Sequence, residues 1–341
     1  DEINPTDNLN TENLTQGTIN EEVERKIGVP SIKVNTYSDL ANVEIAWIPR
    51  YVPYRLPQTD ERWFPGVLQA PETIDSIPSV GSFPVTSTHN DIDLPPYTLR
   101  NSEVGIRVSK YIGGWDLSIS YFRGYDPMPQ TEACTALTID FINPLALSYG
   151  LSLDVDFEPV YDKMHVYGFD FTTTVSSFTI RGEYAYFRNK HYNRSSKKLL
   201  QETLTPQRQQ EITAEFLQNY IASGGTATRQ TFIIDPEVNI QMDSMKYGLG
   251  VDYIYGDSSV SCQFIQEYIP DYDPDKPVNF VNDLGFNTLI TLSFKQFFLQ
   301  NTLEFNLGGG YGIEYHDHVI KSSLKYSFTN TLQGTLGLVM L

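Results

Sequence analysis

Between Ser102 and Gly124 the chain reads SEVGIRVSKYIGGWDLSISYFRG. Val104, Ile106 and Val108 alternate with Glu103, Arg107 and Ser109. Beyond Ile112-Gly113-Gly114, Trp115, Leu117, Ile119 and Tyr121 alternate with Asp116, Ser118 and Ser120. Period-two alternation on both sides of a glycine pair predicts a β-hairpin with one apolar and one polar face. The same pattern recurs along the chain, at Ile32–Val34, Val43–Trp47, Tyr167–Phe171, Phe178–Tyr186, Tyr247–Tyr253, Val260–Tyr268, Ile290–Phe294, Leu303–Leu307, Ile320–Phe328 and Leu332–Met340. Together these predict about a dozen strands, each near the length that a tilted strand needs to cross a bilayer.

The connections alternate between two kinds. Tight turns are expected near Asp39, Gly113, Thr174, Asp257, Leu299 and Thr329, whereas segments 50–100, 124–150, 189–243 and 270–284 are long and rich in Pro, Asn, Asp and Gly. Short turns at one end and long loops at the other are the habit of outer-membrane barrels. The pattern therefore predicts an all-β fold: a transmembrane antiparallel up-and-down β-barrel of the outer-membrane type, one domain over 1–341, with 50–100 and 189–243 as long extracellular loops. Val104, Ile106, Trp115, Leu117, Phe169, Phe178, Ile180, Leu249 and Phe305 are then expected to face lipid. Glu103, Arg107, Asp116, Asp170, Arg181, Glu183, Asp252 and Glu304 are expected to line the lumen. The competing reading is a secreted β-sandwich or solenoid, whose apolar rows would pack in a closed core. Within the longest loop, Ile212, Phe216, Leu217 and Tyr220 have helical spacing and precede a Gly224-Gly225 stop, which predicts a short helix that plugs the mouth or packs on a partner. Both ends of the pattern fall on the long-loop side. That leads to the expectation of at least one further strand beyond each end, in a barrel of roughly 14–18 strands.

Composition agrees with this picture. Charged residues make up 19% and aromatics 13%, with 22 Tyr and 19 Phe, which suits strands and interfacial girdles. No run approaches the roughly 20 apolar residues of a membrane helix. A formal net charge of −18 would repel phosphates and argues against nucleic acid as a partner. Cys134 and Cys262 are expected in a loop and on a lipid-facing row, a poor arrangement for a disulfide.

Several stretches resemble one bacterial family. They are NPTDNLNTENL at Asn4–Leu14, EEVERKIGVPSIKVNTY at Glu21–Tyr37 and VEIAWIPRYVPYRLPQTDERW at Val43–Trp63. The chain is similar in these segments to the uncharacterised outer-membrane proteins called domain of unknown function 1302, in its Asn4-Pro5-Thr6-Asp7, Trp47-Ile48-Pro49, Arg55-Leu56-Pro57 and Arg62-Trp63 groups. Glu103–Pro129 and His165–Phe187 resemble the next two hairpins of that family. The resemblance implies a barrel with further strands before this sequence and work beside transporters of lipids or other hydrophobic molecules, and it carries over no established catalytic residues.

Candidate chemistry is sparse. Asp271, Asp273 and Asp275 put three carboxylates into five loop residues and can offer oxygens to calcium, against the plainer reading of a solvated acidic loop. His316 and His318 flank Asp317 and can take a surface metal, against the plainer reading of a polar loop. The lumen charges form either a selecting constriction or salt bridges that stiffen the wall. No cofactor is expected. The partners expected are outer-membrane lipid, lipopolysaccharide and other envelope proteins, and the bacterial outer membrane is the expected location; the sequence is silent on oligomeric state. The function expected is a channel or export conduit with a polar lumen, with a plugged scaffolding barrel as the alternative. An outer-membrane enzyme is the weakest reading, since His89, His165, His191, His316 and His318 form no catalytic motif.

Overall fold

A computed structural model describes residues 7–15, 25–58, 61, 73–77, 81–89, 93–143, 148–194, 205–234, 237–278, 281, 282, 284–329 and 331–340. Asn4–Thr6 and Arg62-Trp63, two of the family-like groups, lie outside these residues. In chain order the strands are β1 (Thr11–Glu12), β2 (Lys26–Ile27), β3 (Ile32–Thr36), β4 (Asn42–Ile48), β5 (Thr73–Ile77), β6 (Gly81–His89), β7 (Glu103–Ile112), β8 (Trp115–Tyr125), β9 (Gln130–Asn143) and β10 (Ser148–Val160). They continue with β11 (Lys163–Val175), β12 (Phe178–Asn193), β13 (Arg229–Ile234), β14 (Asn239–Tyr255), β15 (Ser258–Tyr268), β16 (Phe286–Phe298), β17 (Leu303–Gly312), β18 (His318–Ser327) and β19 (Gln333–Met340). Among the described residues one full α-helix, α1 (Pro206–Ala222), lies between β12 and β13.

Twelve strands form one antiparallel sheet in the order β19-β18-β17-β16-β15-β14-β12-β11-β8-β7-β4-β3. This is an up-and-down meander, and its members are the dozen strands that the alternation predicts. The turns follow from local chemistry. Gly113 and Gly114 both have positive φ, at 58° and 93°, as a two-residue turn matched to the strand twist requires. Ser176 and Gly256 adopt the same left-handed region at the next two hairpins, and Leu299, Gln300 and Asn301 do so between β16 and β17. All six tight turns fall at one end of the sheet. The edge strands β3 and β19 are exposed along their whole length, and no ladder joins them among the described residues.

The sheet has two unlike faces. Cross-strand partners share a face, so the register sorts every residue. One face carries Ile45, Ile106, Ile119, Phe169, Tyr184, Leu249, Phe264, Ile290, Leu292 and Leu324, all exposed. The apolar rows therefore do not pack in a closed protein core, which removes the sandwich reading. On β14 the outward residues run from Tyr255 through Tyr253, Val251, Leu249 and Tyr247 to Met245. Ten residues at about 3.3 Å each rise about 33 Å along the strand, or about 25 Å for a strand tilted by ~40°. Aromatic rings cluster near both limits of this band. Phe178–Tyr253 (4.7 Å) and Tyr326–Phe328 (4.8 Å) lie at the turn end, and Tyr121–Tyr167 (5.2 Å) and Tyr268–Phe286 (4.6 Å) at the other. Ile106 is the cross-strand partner of Tyr121, so it sits at the level of this upper aromatic row rather than mid-band.

Segments 50–100, 124–150 and 189–243, expected as loops, contribute to a second sheet instead. Five strands in the order β13-β9-β10-β6-β5 stand beyond the long-loop end, with β10 and β6 parallel. The alternating faces of β9 (Ala133, Leu137, Ile139) and β10 (Leu153, Val155, Phe157) close over Ile212 and Phe216 of α1. The helix occupies its expected place. Thr205 caps it by accepting from the Arg208 amide, Pro206 opens it, and Gly224 and Gly225 leave it with positive φ. Its apolar residues Ile212 and Phe216 are buried on its own sheet. Cys134 lies on β9 rather than in a loop, and it and Cys262 are free and exposed.

Candidate functional site: the polar face and its inner segment

The other face of the twelve-stranded sheet is polar and small. Register puts Glu103, Arg107, Asp116, Asp170, Arg181, Glu183, Asp252 and Glu304 together on it, opposite the exposed apolar rows. Most of the charges there are paired. Arg107 donates to Asp170 at 2.8 Å and to Ser118 at 2.9 Å, and Ser118 in turn donates to Asp170. Arg181 meets Asp252 at 3.0 Å, Lys295 meets Glu304 at 3.5 Å and Lys33 meets Glu44 at 2.7 Å. Gly250 makes room for the first of these pairs: a Cβ there would lie 2.8 Å from Nε of Arg181.

Nearer the long-loop end lies a second polar group that alternation alone does not reveal. Lys190 pairs with Glu267 at 3.1 Å, and the Tyr192 hydroxyl reaches Glu267 and Ser244, both at 2.7 Å. Lys246 is the cross-strand partner of Glu267. Lys190 and Tyr192 reach this face because the β12–β14 register shifts after Phe187. Asn189, with φ of 62°, supplies the extra residue, and Asp243 holds it from the outer face by accepting the Asn189 amide at 3.0 Å and the Tyr186 hydroxyl at 2.5 Å. The signal in the sequence is the Asn189-Lys190 step, where the parity of the alternation changes.

Part of the chain before β3 lies against the polar face. Leu9 packs on the polar side against Phe122, Met164, Val166, Ala185 and Phe187, an apolar patch on an otherwise polar face. The fit is close at Gly105, where a Cβ would lie 3.1 Å from a Leu9 methyl. The segment is tied down at several points. β1 pairs with β2, Leu14 donates to the Arg55 carbonyl at 2.8 Å, and Arg55 donates back to that of Glu12 at 3.0 Å. Glu12–Arg25 and Asp7–Lys26 ion pairs, each 3.0 Å, join its two arms.

A rim hub anchors this segment to the wall. Tyr51 packs tilted on Tyr125 and edge-on to Tyr161, and its hydroxyl donates to the Asp126 carbonyl at 2.8 Å. Tyr54 donates its amide to Pro127 at 2.9 Å. Burial raises the Tyr51 and Tyr54 phenols far above their ordinary value and pushes Tyr161 up to about 12. Burial also raises the Asp126 carboxyl, with Lys190 pulling the other way. One Asp126 oxygen accepts the Met128 amide at 3.0 Å, and the other is buried without a hydrogen-bond partner among the described residues.

The metal candidates are not brought together. Asp273 accepts the amide of Asp275 at 3.0 Å, a turn within the loop that also holds Asp271. His316, with positive φ, bonds Tyr311 at 2.9 Å, while His318 opens β18. Among the described residues no three His, Cys, Asp or Glu side chains converge on one point.

No family model and no curated protein matches the chain. A solved structure that it matches is described as the crystal structure of the Pseudomonas putida toluene transporter TodX. The match has 10% identity and a TM-score of 0.25, over 70% of this chain and 76% of that one.

Proposed function

We propose that this chain forms the wall of an outer-membrane conduit whose polar face lines the passage and whose inner segment around Leu9 narrows it. One observation carries the reading: an exposed apolar face about 25 Å tall with aromatic rings at both limits, backed by a face of paired charges on which a segment of the same chain is seated. A wall in water has no use for such an outer face. A sheet that contacts lipid outside and water inside uses both. The chain is read here as a conduit rather than an enzyme, and as a relative of the domain of unknown function 1302 proteins whose Trp-Ile-Pro and Arg-Leu-Pro segments it resembles. The apolar seat under Leu9 suits a solute with an apolar part, such as a lipid-like molecule.

The seated segment also favours a second reading, in which the barrel is plugged and serves as a scaffold for other envelope proteins. Planar-bilayer recordings separate the two. For the conduit, Leu9→Asp is expected to raise the conductance or the open fraction, because a carboxylate cannot stay in the Phe122–Phe187 patch. Gly105→Leu is expected to act the same way by filling the seat. Silence from the parent protein and both variants, after verified insertion, would favour the scaffold.

A further inference from the structure

The outward face of the twelve strands carries five Asp, Glu, Lys or Arg side chains among the described residues: Lys110, Arg123, Lys163, Arg188 and Asp243. Three of the four bases gather at one place, the long-loop end of β8, β11 and β12. Arg123 is the direct cross-strand partner of His165, and His165 of Arg188. Lys163 lies two residues further along β11, and its ammonium donates to the Arg100 carbonyl, which adds the exposed Arg100 to the group. Two residues in the opposite direction the outward row is Tyr121, Tyr167 and Tyr186, also direct partners, with ring centroids 5.2 and 6.3 Å apart. The Tyr121 hydroxyl reaches Nδ1 of His165 at 2.9 Å and so fixes the ring on that row.

Three adjacent outward side chains, two of them guanidinium groups, thus stand directly above an aromatic row. Cross-strand neighbours are about 5 Å apart, so the row spans about 10 Å. No carboxylate forms an ion pair with Arg100, Arg123 or Arg188 among the described residues. Asp243 is near Arg188 but is engaged by Tyr186 and Asn189. In a chain with a net charge of −18, cations collected on the apolar side beside a single acid, Asp243, that is already engaged are a costly arrangement unless an anion completes it. Tyrosines mark the depth of the headgroup boundary, and the layer directly above it holds lipid phosphates.

We infer that Arg123, His165 and Arg188, with Lys163 and Arg100 at their edge, bind the phosphate groups of an anionic lipid in the leaflet at the long-loop end, a phosphorylated glycolipid of the lipopolysaccharide type. Arginine suits this role because its planar fork holds phosphate oxygens two at a time. The inference rests on the membrane reading above. It adds a partner and a position that a conduit does not itself require.

The test uses the full chain refolded into phosphatidylcholine vesicles with and without lipopolysaccharide, then extracted and weighed by native mass spectrometry. The parent protein is expected to retain phosphorylated glycolipid. The triple variant Arg123→Gln/His165→Gln/Arg188→Gln is expected to lose it by about tenfold or more, whereas Lys110→Gln, on the same face at the turn end, keeps it. Equal retention by parent and triple variant, with insertion intact by gel mobility, overturns the inference and leaves the barrel standing. Displacement of the glycolipid by excess inorganic phosphate overturns the choice of a lipid over a free anion. Failure of every variant to insert into plain phosphatidylcholine overturns the membrane reading itself. If the triple variant does not fold, Arg188→Glu, a charge reversal at an exposed position, is expected to lower retention on its own, and unchanged retention counts against the inference.

Discussion

Leu292 and Ser293 are neighbours at the centre of β16, at one depth and on opposite faces. Leu292 sits between Cys262 and Gly309 on the outward side and is 58% exposed; Ser293 sits between Ser261 and Gly308 on the polar side. Replacing each in turn with arginine changes one charge at one height. Burying a whole leucine side chain is worth about 1.5–3 kcal/mol, so the part of Leu292 that faces outward contributes about 1–2 kcal/mol if it touches lipid. An arginine at the bilayer midplane of a barrel's lipid face costs about 2–4 kcal/mol more. Leu292→Arg is therefore expected to destabilise by about 3–6 kcal/mol. Ser293→Arg, opening into a watery interior, should stay within about 0.5 kcal/mol. Reversible urea unfolding in phospholipid vesicles, read by tryptophan fluorescence, measures both. If both variants fall within about 0.5 kcal/mol of the parent, the apolar face lies in water and the conduit reading fails. If Ser293→Arg is the costlier change, the sheet is the other way round.

Two further outcomes follow from the rim and the edges. The Asp126 carboxyl is raised by burial, so the folded state holds its proton more tightly than the unfolded one. Its contribution to the rim hub is fully present below the unfolded value of about 3.9 and is lost as pH rises through the raised folded value. Exchange of the Tyr54 and Asp126 amides, corrected for intrinsic rate, is expected to speed up over that rise and to become pH-independent in Asp126→Asn; equal slopes in the two proteins would refute it. Cysteines at Asn35→Cys and Gly337→Cys, on β3 and β19 in a Cys134→Ser/Cys262→Ser background, are expected not to cross-link, because no ladder joins those strands. Quantitative bridging would show that the wall closes directly on them.

Much of the wall was legible because alternation is a property of the backbone. A strand with water or lipid on either side must write its two environments at odd and even positions, and Trp115–Tyr121 or Tyr247–Tyr253 do so without interruption. The second sheet was hidden because most of it lies in segments 50–100, 124–150 and 189–243, whose Pro and Gly read as irregular. Just beyond residue 150, Leu151, Leu153, Val155 and Phe157 alternate with Ser152, Asp154, Asp156 and Glu158 as well as any wall strand, yet this stretch is not among the dozen strands expected. What separates them is tertiary: α1 covers one face, so the apolar row there packs in a protein core. Lys190 and Tyr192 were hidden differently. One extra residue at Asn189 reverses the parity, and a period-two count ends where the bulge begins. Leu9 left no signal at all. A lone leucine in a polar stretch reveals its seat only when Gly105 and Phe122 are brought beside it.

The distribution of charge decides which ions the proposed conduit can prefer. Among the described residues of the twelve strands, the polar face carries eight bases (Lys33, Arg107, Arg181, Lys190, Lys246, Lys295, Lys321, Lys325). It carries eight acids too (Glu44, Glu103, Asp116, Asp170, Glu183, Asp252, Glu267, Glu304), so the two sets cancel. The outward face adds four bases and one acid. The strands thus sum to +3, and since the whole chain is −18, the rest of it carries −21. Within the tight turns the only charged residues are Asp39 and Asp257. Among the described residues the acidic excess therefore belongs to the segments that lead out of the strands at the other end. A neutral wall beneath an acidic entrance concentrates cations only within about one Debye length of the entrance, about 8 Å at physiological salt. An open pore is accordingly expected to prefer cations weakly in dilute salt and to lose the preference as salt is raised. Reversal potentials across a potassium chloride gradient, measured from about 0.01 to 1 M, follow this directly. A strong cation preference that survives in high salt would mean that unpaired acids line the passage itself, against the pairing of Arg107 with Asp170 and Arg181 with Asp252. A preference for anions would mean that Lys190 and Lys246, rather than Glu267 between them, face the solute.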